Sequence, residues 1–170
     1  MKKLFLLSLA IIGISLSSNA QDISENAIGL RLGDSDGLGA EVSYQRAIRS
    51  NNRLELDLGW RNGRNYDGFK LAGLYQWVFP IEGAFNWYVG AGGGIGSFRY
   101  DIQGGDDISD TYLFAAGDIG IEYNFDFPLL LSLDFRPEAG FRDDVYYNGN
   151  RVYNNSALDF DIAFSVRYQF

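Results

Sequence analysis

Cysteine and histidine are both absent from the 170-residue sequence. Without them the chain has no disulfide bond, no thiolate nucleophile, no imidazole ligand for zinc or haem, and no Ser-His or Cys-His pair. Much of enzyme chemistry is therefore excluded. We expect no catalytic residue, no metal site and no cofactor.

Positive charge and proline are also scarce. The chain has 14 Lys and Arg against 22 Asp and Glu, for a formal net charge of -8, so binding to the phosphates of a nucleic acid is not expected. It contains 3 Pro but 21 Gly, 13 Phe, 11 Tyr and 3 Trp. Aromatic residues are enriched in strands, and this mixture favours a protein with many of them.

Long apolar runs are missing as well, apart from a short one near the start. Lys2 and Lys3 precede an apolar stretch at 4–16, and Ala20 ends a small polar segment. This pattern predicts a signal peptide over residues 1–20, because the apolar stretch is shorter than the roughly 20 residues that span a bilayer as a helix. We expect residues 21–170 to form one exported domain.

Apolar and polar residues alternate from residue 26 to the end of the chain. In segment 53–61, three leucines and Trp60 share one face, while charged residues and a glycine share the other, which is the period of a strand. The same pattern recurs within 27–32, 38–48, 68–79, 85–99, 111–123, 129–141 and 157–170. The sequence therefore predicts an all-β fold, an eight-stranded antiparallel up-and-down transmembrane β-barrel.

Turn-forming residues separate the predicted strands. The connections are 33–37, 49–52, 62–67, 80–83, 101–110, 124–128 and 142–155. The odd-numbered connections are longer than the even-numbered ones. In an up-and-down barrel this difference separates a long-loop end from a tight-turn end.

Side-chain size predicts which face points outward. An eight-stranded barrel has room inside only for side chains to fill, and the apolar face carries too many bulky residues to fit there. The opposite face carries glycines, small residues and charges of both signs. We expect the apolar face to contact lipid, since an Arg facing the middle of a bilayer costs about 2–4 kcal/mol. The alternative is a soluble barrel or sandwich whose polar face is solvated.

The charged residues of the polar face are expected to pair across a closed lumen. Structural ion pairing is a better explanation than acid–base catalysis for neighbouring carboxylates on this face. The predicted network comprises Arg31, Glu41, Arg53, Glu55, Asp57, Arg61, Lys70, Asp118, Glu122, Asp134, Arg136, Glu138, Asp159, Asp161 and Arg167.

Aromatic residues cluster toward the strand ends, as expected for rings at the lipid headgroups. The girdle predicted at the tight-turn end comprises Tyr44, Trp77, Phe79, Phe85, Trp87, Tyr123, Phe125, Phe127, Tyr168 and Phe170. The girdle predicted at the long-loop end comprises Trp60, Phe69, Phe98, Tyr100, Tyr112 and Phe141.

Taken together, these features resemble the small eight-stranded outer-membrane barrels of the OmpA-transmembrane-domain and OmpX-like type. The final segment 157–170 ends in Tyr168-Gln169-Phe170, which is similar to the C-terminal signal that the outer-membrane assembly machinery recognises in that class. The resemblance implies a location in the outer membrane of a Gram-negative bacterium. It also implies termini in the periplasm and long loops outside the cell.

The expected function is a structural or surface-interaction role, with outer-membrane lipid and the assembly machinery as partners. Loops 101–110 and 142–155 are the candidate surfaces for an extracellular ligand. One alternative is a narrow porin-like channel along the glycine-lined fifth strand. Another is a lipid-modifying barrel enzyme, which the missing histidine disfavours.

Leu56 and Glu55 provide a test of the predicted facing. We expect Leu56→Arg to block membrane insertion, because it places a charge against acyl chains, and Glu55→Gln to insert. Membrane fractionation of the two variants measures this, and the opposite ranking would contradict the assignment.

Overall fold

The strands cover most of residues 21–170. In this computed structural model, residues 23–33, 39–63, 66–100, 108–141, 146–147, 150–151 and 158–170 are described. The strands are β1 (Asn26–Gly33), β2 (Gly39–Arg49), β3 (Asn52–Gly63), β4 (Tyr66–Glu82), β5 (Phe85–Tyr100), β6 (Ile108–Asn124), β7 (Leu129–Phe141), β8 (Tyr146–Tyr147), β9 (Asn150–Arg151) and β10 (Leu158–Gln169). The predicted signal peptide, residues 1–20, lies outside the described residues.

Eight of these strands close into one antiparallel barrel. The order around the wall is β1, β10, β7, β6, β5, β4, β3, β2, and β1 also pairs with β2. The short strands β8 and β9 pair with each other as a separate hairpin. The prediction of an all-β, eight-stranded antiparallel barrel is confirmed. The described residues contain no helix long and apolar enough to cross a membrane.

Several strands continue beyond their predicted ends. The turn predicted at 62–67 is wrong, because β3 ends at Gly63 and β4 begins at Tyr66. Asn62 and Asp67 instead pair across the ladder, since backbone hydrogen bonds extend a hairpin without needing apolar side chains. Within the predicted loops, Ile108 to Asp110 belong to β6, and β8 and β9 occupy part of 142–155. The rest of these two loops lies outside the described residues.

The two faces of the wall separate as the sequence predicts. Glu55 is 1 % exposed, whereas the next residue, Leu56, is 50 % exposed on the outer face. The same alternation between buried polar and exposed apolar residues runs along β1, β2, β7 and β10. The polar face is therefore the interior of the barrel.

The interior also contains an apolar cluster near the long-loop end. Ala72, Leu74, Phe114 and Ala116 are buried together, and Tyr112 packs against them. The placement of Phe98 and Tyr112 in the outer girdle was therefore wrong. Phe98 is buried, and the ring of Tyr112 occupies the position where a side chain at Gly96 would lie, with its Cζ 2.4 Å from an ideal Cβ there. Gly94 and Gly96 of β5 thus make room inside for the rings of Phe114 and Tyr112.

Gly120 on β6 provides a test of this packing. A Cβ at Gly120 would lie 2.5 Å from the Tyr88 hydroxyl and 2.8 Å from the Leu133 carbonyl oxygen, whereas one at Gly73 meets only Leu56 Cδ2, at 3.4 Å. We expect Gly120→Ala to destabilise the barrel by about 1–3 kcal/mol and Gly73→Ala to be nearly neutral. Urea unfolding in lipid vesicles measures both. Equal effects would contradict the packing described.

Candidate functional site

Arg31 on β1 joins three carboxylates from three other strands. Its Nη1 donates to Glu41 Oε2 at 3.0 Å and to Asp161 Oδ2 at 2.6 Å, and its Nη2 donates to Asp134 Oδ1 at 2.5 Å. The Arg31 side chain is fully buried. Because β1 lies between β2 and β10, this one guanidinium links four consecutive strands of the wall.

Arg136 on β7 reaches across the lumen to the opposite wall. Its Nη2 donates to Asp57 Oδ2 at 2.6 Å and to Glu55 Oε1 at 3.2 Å, both on β3. Its Nη1 lies 3.6 Å from Glu41 Oε2. Glu41 therefore stands between the two arginines, and the clusters around Arg31 and Arg136 form one network.

Glu55 is the most connected carboxylate of this network. Its Oε1 lies 3.3 Å from Arg167 Nη2 and also accepts the bond from Arg136. Its Oε2 accepts hydrogen bonds from Gln45 at 2.5 Å and from Gln76 at 3.2 Å. A single side chain thus contacts groups on β2, β4, β7 and β10, and charge-assisted bonds of this kind are the strong ones.

Two further ion pairs lie above and below this network. Arg53 Nη1 is 2.7 Å from Glu122 Oε2 toward the tight-turn end, and the Arg53 guanidinium lies 4.8 Å from the centre of the Tyr88 ring. Toward the long-loop end, Lys70 Nζ is 2.6 Å from Glu138 Oε2 and stands over the Phe114 ring. Both cations combine a carboxylate with an aromatic face.

Three predicted members of the network stand apart. Asp159 is half-buried, and its carboxylate accepts a bond from the backbone nitrogen of Phe160 at 2.9 Å. Asp118 is buried and accepts a hydrogen bond from Gln76, but has no ion pair with any described residue. The side chain of Arg61 lies outside the described residues.

Uncharged polar residues complete the network, and they were not among the predicted site residues. Ser43 and Ser132 accept hydrogen bonds from Arg167 at 2.9 and 2.8 Å, and Gln76 accepts one from Arg53 at 2.6 Å. All three lie at the alternate strand positions that face the polar side of the wall. Their position in this alternation could have identified them, whereas the prediction considered only charged residues.

Side chains fill the described part of the lumen. Arg31, Arg136, Arg167, Tyr88 and Gln76 are almost completely inaccessible to solvent. A cavity near the tight-turn end has a volume of about 10 Å³, at the lower limit for one water molecule. Within the described ranges, no group of three or more acidic residues is arranged to hold a metal ion. The arrangement is that of a packed polar core.

The outer wall is apolar over its whole circumference. Leu30, Leu56, Ile121, Leu133 and Ile162 are each about half exposed, and they come from five different strands. Toward the tight-turn end, aromatic rings pack in pairs on this surface. These pairs are Phe79 with Trp87, Phe85 with Tyr123, and Tyr123 with Phe125, at centroid distances of 4.7, 4.7 and 4.6 Å.

Solved structures share this architecture. The N-terminal β-barrel domain of Pseudomonas aeruginosa OprF has a TM-score of 0.66 and 14% identity, covering 88% of this chain and 100% of that one. Neisserial surface protein A (NspA) has a TM-score of 0.62 and 15% identity, covering 85% and 94%. The chain has the fold of a small outer-membrane β-barrel. No protein-family model and no curated protein matches its sequence.

Ail, the attachment invasion locus protein of Yersinia pestis, shares the small outer-membrane β-barrel fold as well. Its TM-score is 0.56 at 14% identity, and the match covers 86% of this chain and 97% of that one. At these identities the likeness concerns the fold. The predicted resemblance to small eight-stranded outer-membrane barrels is confirmed at that level.

Arg31 and Arg46 provide a test of the buried network. Arg31→Met leaves three buried carboxylates without their shared cation, and we expect it to cost about 3–5 kcal/mol of unfolding free energy. Arg46 pairs with Glu25 in an exposed bridge, so Arg46→Met is expected to cost at most about 1 kcal/mol. Urea titration of both variants in vesicles measures the difference. Similar losses would argue against a structural role for the network.

Proposed function

We propose that this protein is an integral outer-membrane β-barrel with a closed, ion-paired lumen and a structural or surface-interaction role. The proposal depends on one observation: charged side chains are buried inside the barrel and large hydrophobic side chains are exposed on its outer face, the reverse of a water-soluble protein. In the part of the chain that the structure describes, the fully buried large side chains include three arginines, while 28 large hydrophobic residues are exposed. Water-soluble monomers rarely expose a continuous apolar surface of this extent, and hydrocarbon is the solvent that suits it.

Strand length supports a membrane-spanning barrel. A tilted strand needs about 9–11 residues to cross a bilayer. The wall strands have 11 to 17 residues, apart from β1 with 8. Ladders of this length present the apolar surface as a belt, with aromatic rings near its tight-turn margin.

The packed lumen supports a structural role over a channel. Side chains from opposite walls meet inside the barrel, as Arg136 does with Asp57 at 2.6 Å. A water-filled path would require this core to open and its charges to separate. We therefore favour a closed barrel over the narrow porin-like channel. We also propose no enzymatic activity, because seven of the eight buried lumen carboxylates among the described residues lie next to arginine or lysine rather than standing free as acid and base.

Three classes of partner follow from this proposal. Outer-membrane lipid surrounds the apolar belt, and the assembly machinery recognises Tyr168 and Phe170, which are exposed on the outer face of the wall. Loops 101–110 and 142–155 are the surfaces proposed for an extracellular ligand. Two proteins with this fold are named for a surface and for attachment, NspA and Ail, which supports a role at the cell surface.

Cell fractionation with gel electrophoresis tests the proposal. We expect the protein in the outer-membrane fraction, with an N-terminus that follows Ala20. We also expect faster migration before boiling than after, because a closed barrel keeps its shape in detergent. Recovery as a water-soluble periplasmic species would overturn the proposal.

The same purified barrel in a planar lipid bilayer tests whether the lumen is closed. We expect the wild type to show no conductance, because ion-paired side chains from opposite walls meet across the lumen. Steady single-channel current steps would instead support the porin-like alternative.

A further inference from the structure

The buried lumen carries more negative than positive charge. Among the described residues, five buried cations stand against eight buried carboxylates. The cations are Arg31, Arg53, Lys70, Arg136 and Arg167, and the carboxylates are Glu41, Glu55, Asp57, Asp118, Glu122, Asp134, Glu138 and Asp161. Three negative charges therefore lack a cation of their own in a region that excludes solvent.

Seven of the eight carboxylates lie next to a cation. Arg31 and Arg136 each contact three of them, and Arg53 and Lys70 contact one each. Sharing one guanidinium among several carboxylates spreads the excess charge over the network. The eighth carboxylate, Asp118, has no ion pair with a described residue.

The surroundings of Asp118 offer little to stabilise a negative charge. The residue is 3 % exposed, its Oδ2 accepts a hydrogen bond from Gln76 on β4, and its Oδ1 is buried without a partner. The charged groups that act on it most strongly are Glu55 on β3 and Asp134 on β7, which repel it, and Arg136 on β7, which attracts it. The Arg136 guanidinium already contacts Glu55, Asp57 and Glu41.

Tyr88 on β5 places a second unpaired polar group at this position. Its side chain is fully buried, and its hydroxyl has no hydrogen-bond partner among the described residues. The hydroxyl lies over Gly120, 2.5 Å from where a Cβ would be. Gly120 is two residues beyond Asp118 on the same face of β6 and pairs with Asp134. The unpaired hydroxyl of Tyr88 therefore lies over Gly120, on the inner face of β6 that also carries Asp118.

We propose that Asp118 binds a proton in the folded barrel at neutral pH. A buried carboxylate without a cation is costly enough that it takes up a proton instead. The proton comes from solvent as the barrel closes and bonds to Asp118 Oδ1, while Oδ2 keeps the bond from Gln76. The described residues provide no metal cage in its place. The lumen is thus a proton-binding site as well as an ion-paired core.

Infrared spectroscopy of the folded barrel in lipid vesicles tests the proposal directly. We expect the wild type at pH 7 to show the C=O stretching band of a protonated carboxyl group, and Asp118→Asn to lose it. Glu122→Gln is the matched control, because Glu122 is a buried carboxylate of the same strand that pairs with Arg53 at 2.7 Å. That variant should keep the band. A wild type without this band would overturn the proposal, even if neither variant folds.

The pH dependence of stability provides an independent readout. A proton bound by the native state and not by the unfolded chain makes stability fall as pH rises. This applies above about pH 4, where an exposed aspartate ionises. For one proton, the unfolding equilibrium constant of the wild type should rise tenfold more per pH unit than that of Asp118→Asn. The comparison covers about pH 5 to pH 6.5, above the range in which an exposed aspartate ionises.

Two results would contradict this part of the proposal. Identical pH dependence in the wild type and Asp118→Asn would show that Asp118 is ionised in both states. A difference that disappears when choline replaces sodium would show that a metal cation, and not a proton, balances the charge. Glu122→Gln should lower stability while leaving the pH dependence close to that of the wild type.

Discussion

The limited volume inside eight strands is the constraint on which this structure depends. A wall of this circumference leaves room only for side chains, so every bulky apolar residue placed inside displaces something else. The chain meets this limit with glycines on β5, over which the rings of Tyr112 and Phe114 lie. The remaining volume holds arginines and carboxylates, and most of the apolar side chains are left on the outer wall.

Burying charges in that volume costs desolvation free energy, and this cost is offset because most of the charges are paired and hydrogen-bonded. Glu55 accepts bonds from two amides and contacts two guanidinium groups, so removing one partner disturbs several others. Such a network specifies the register of the strands, since a shift by one residue would turn its arginines toward the outer face. The polar core thereby performs the task that a hydrophobic core performs in a soluble protein.

The architecture could be predicted from the sequence because strand periodicity is a local signal. Alternation in segments such as 53–61 predicted the number of strands, and the size and charge of the side chains on each face predicted which face points outward. The inward positions of Phe98 and Tyr112 were not predicted, and that of Tyr112 depends on Gly96 of the neighbouring strand β5. The connection at 62–67 was predicted too long, because Asn62 and Asp67 pair as a continuation of the hairpin. The partners in each lumen ion pair could not be predicted, because they depend on the stagger between strands. The local sequence pattern does not contain that information.

The closing ladder between β1 and β10 has a consequence for the order of events during biogenesis. Asn26 and Phe170 exchange backbone hydrogen bonds of 3.1 and 2.9 Å, although they lie at opposite ends of the described chain. One edge of β1 therefore stays unpaired until β10, the last strand of the barrel, has been synthesised. Until then Arg31 cannot reach Asp161. A chain that lacks β10 therefore leaves the edges of β1 and β7 unpaired. Such edges can pair with other chains, so we expect this intermediate to need a chaperone.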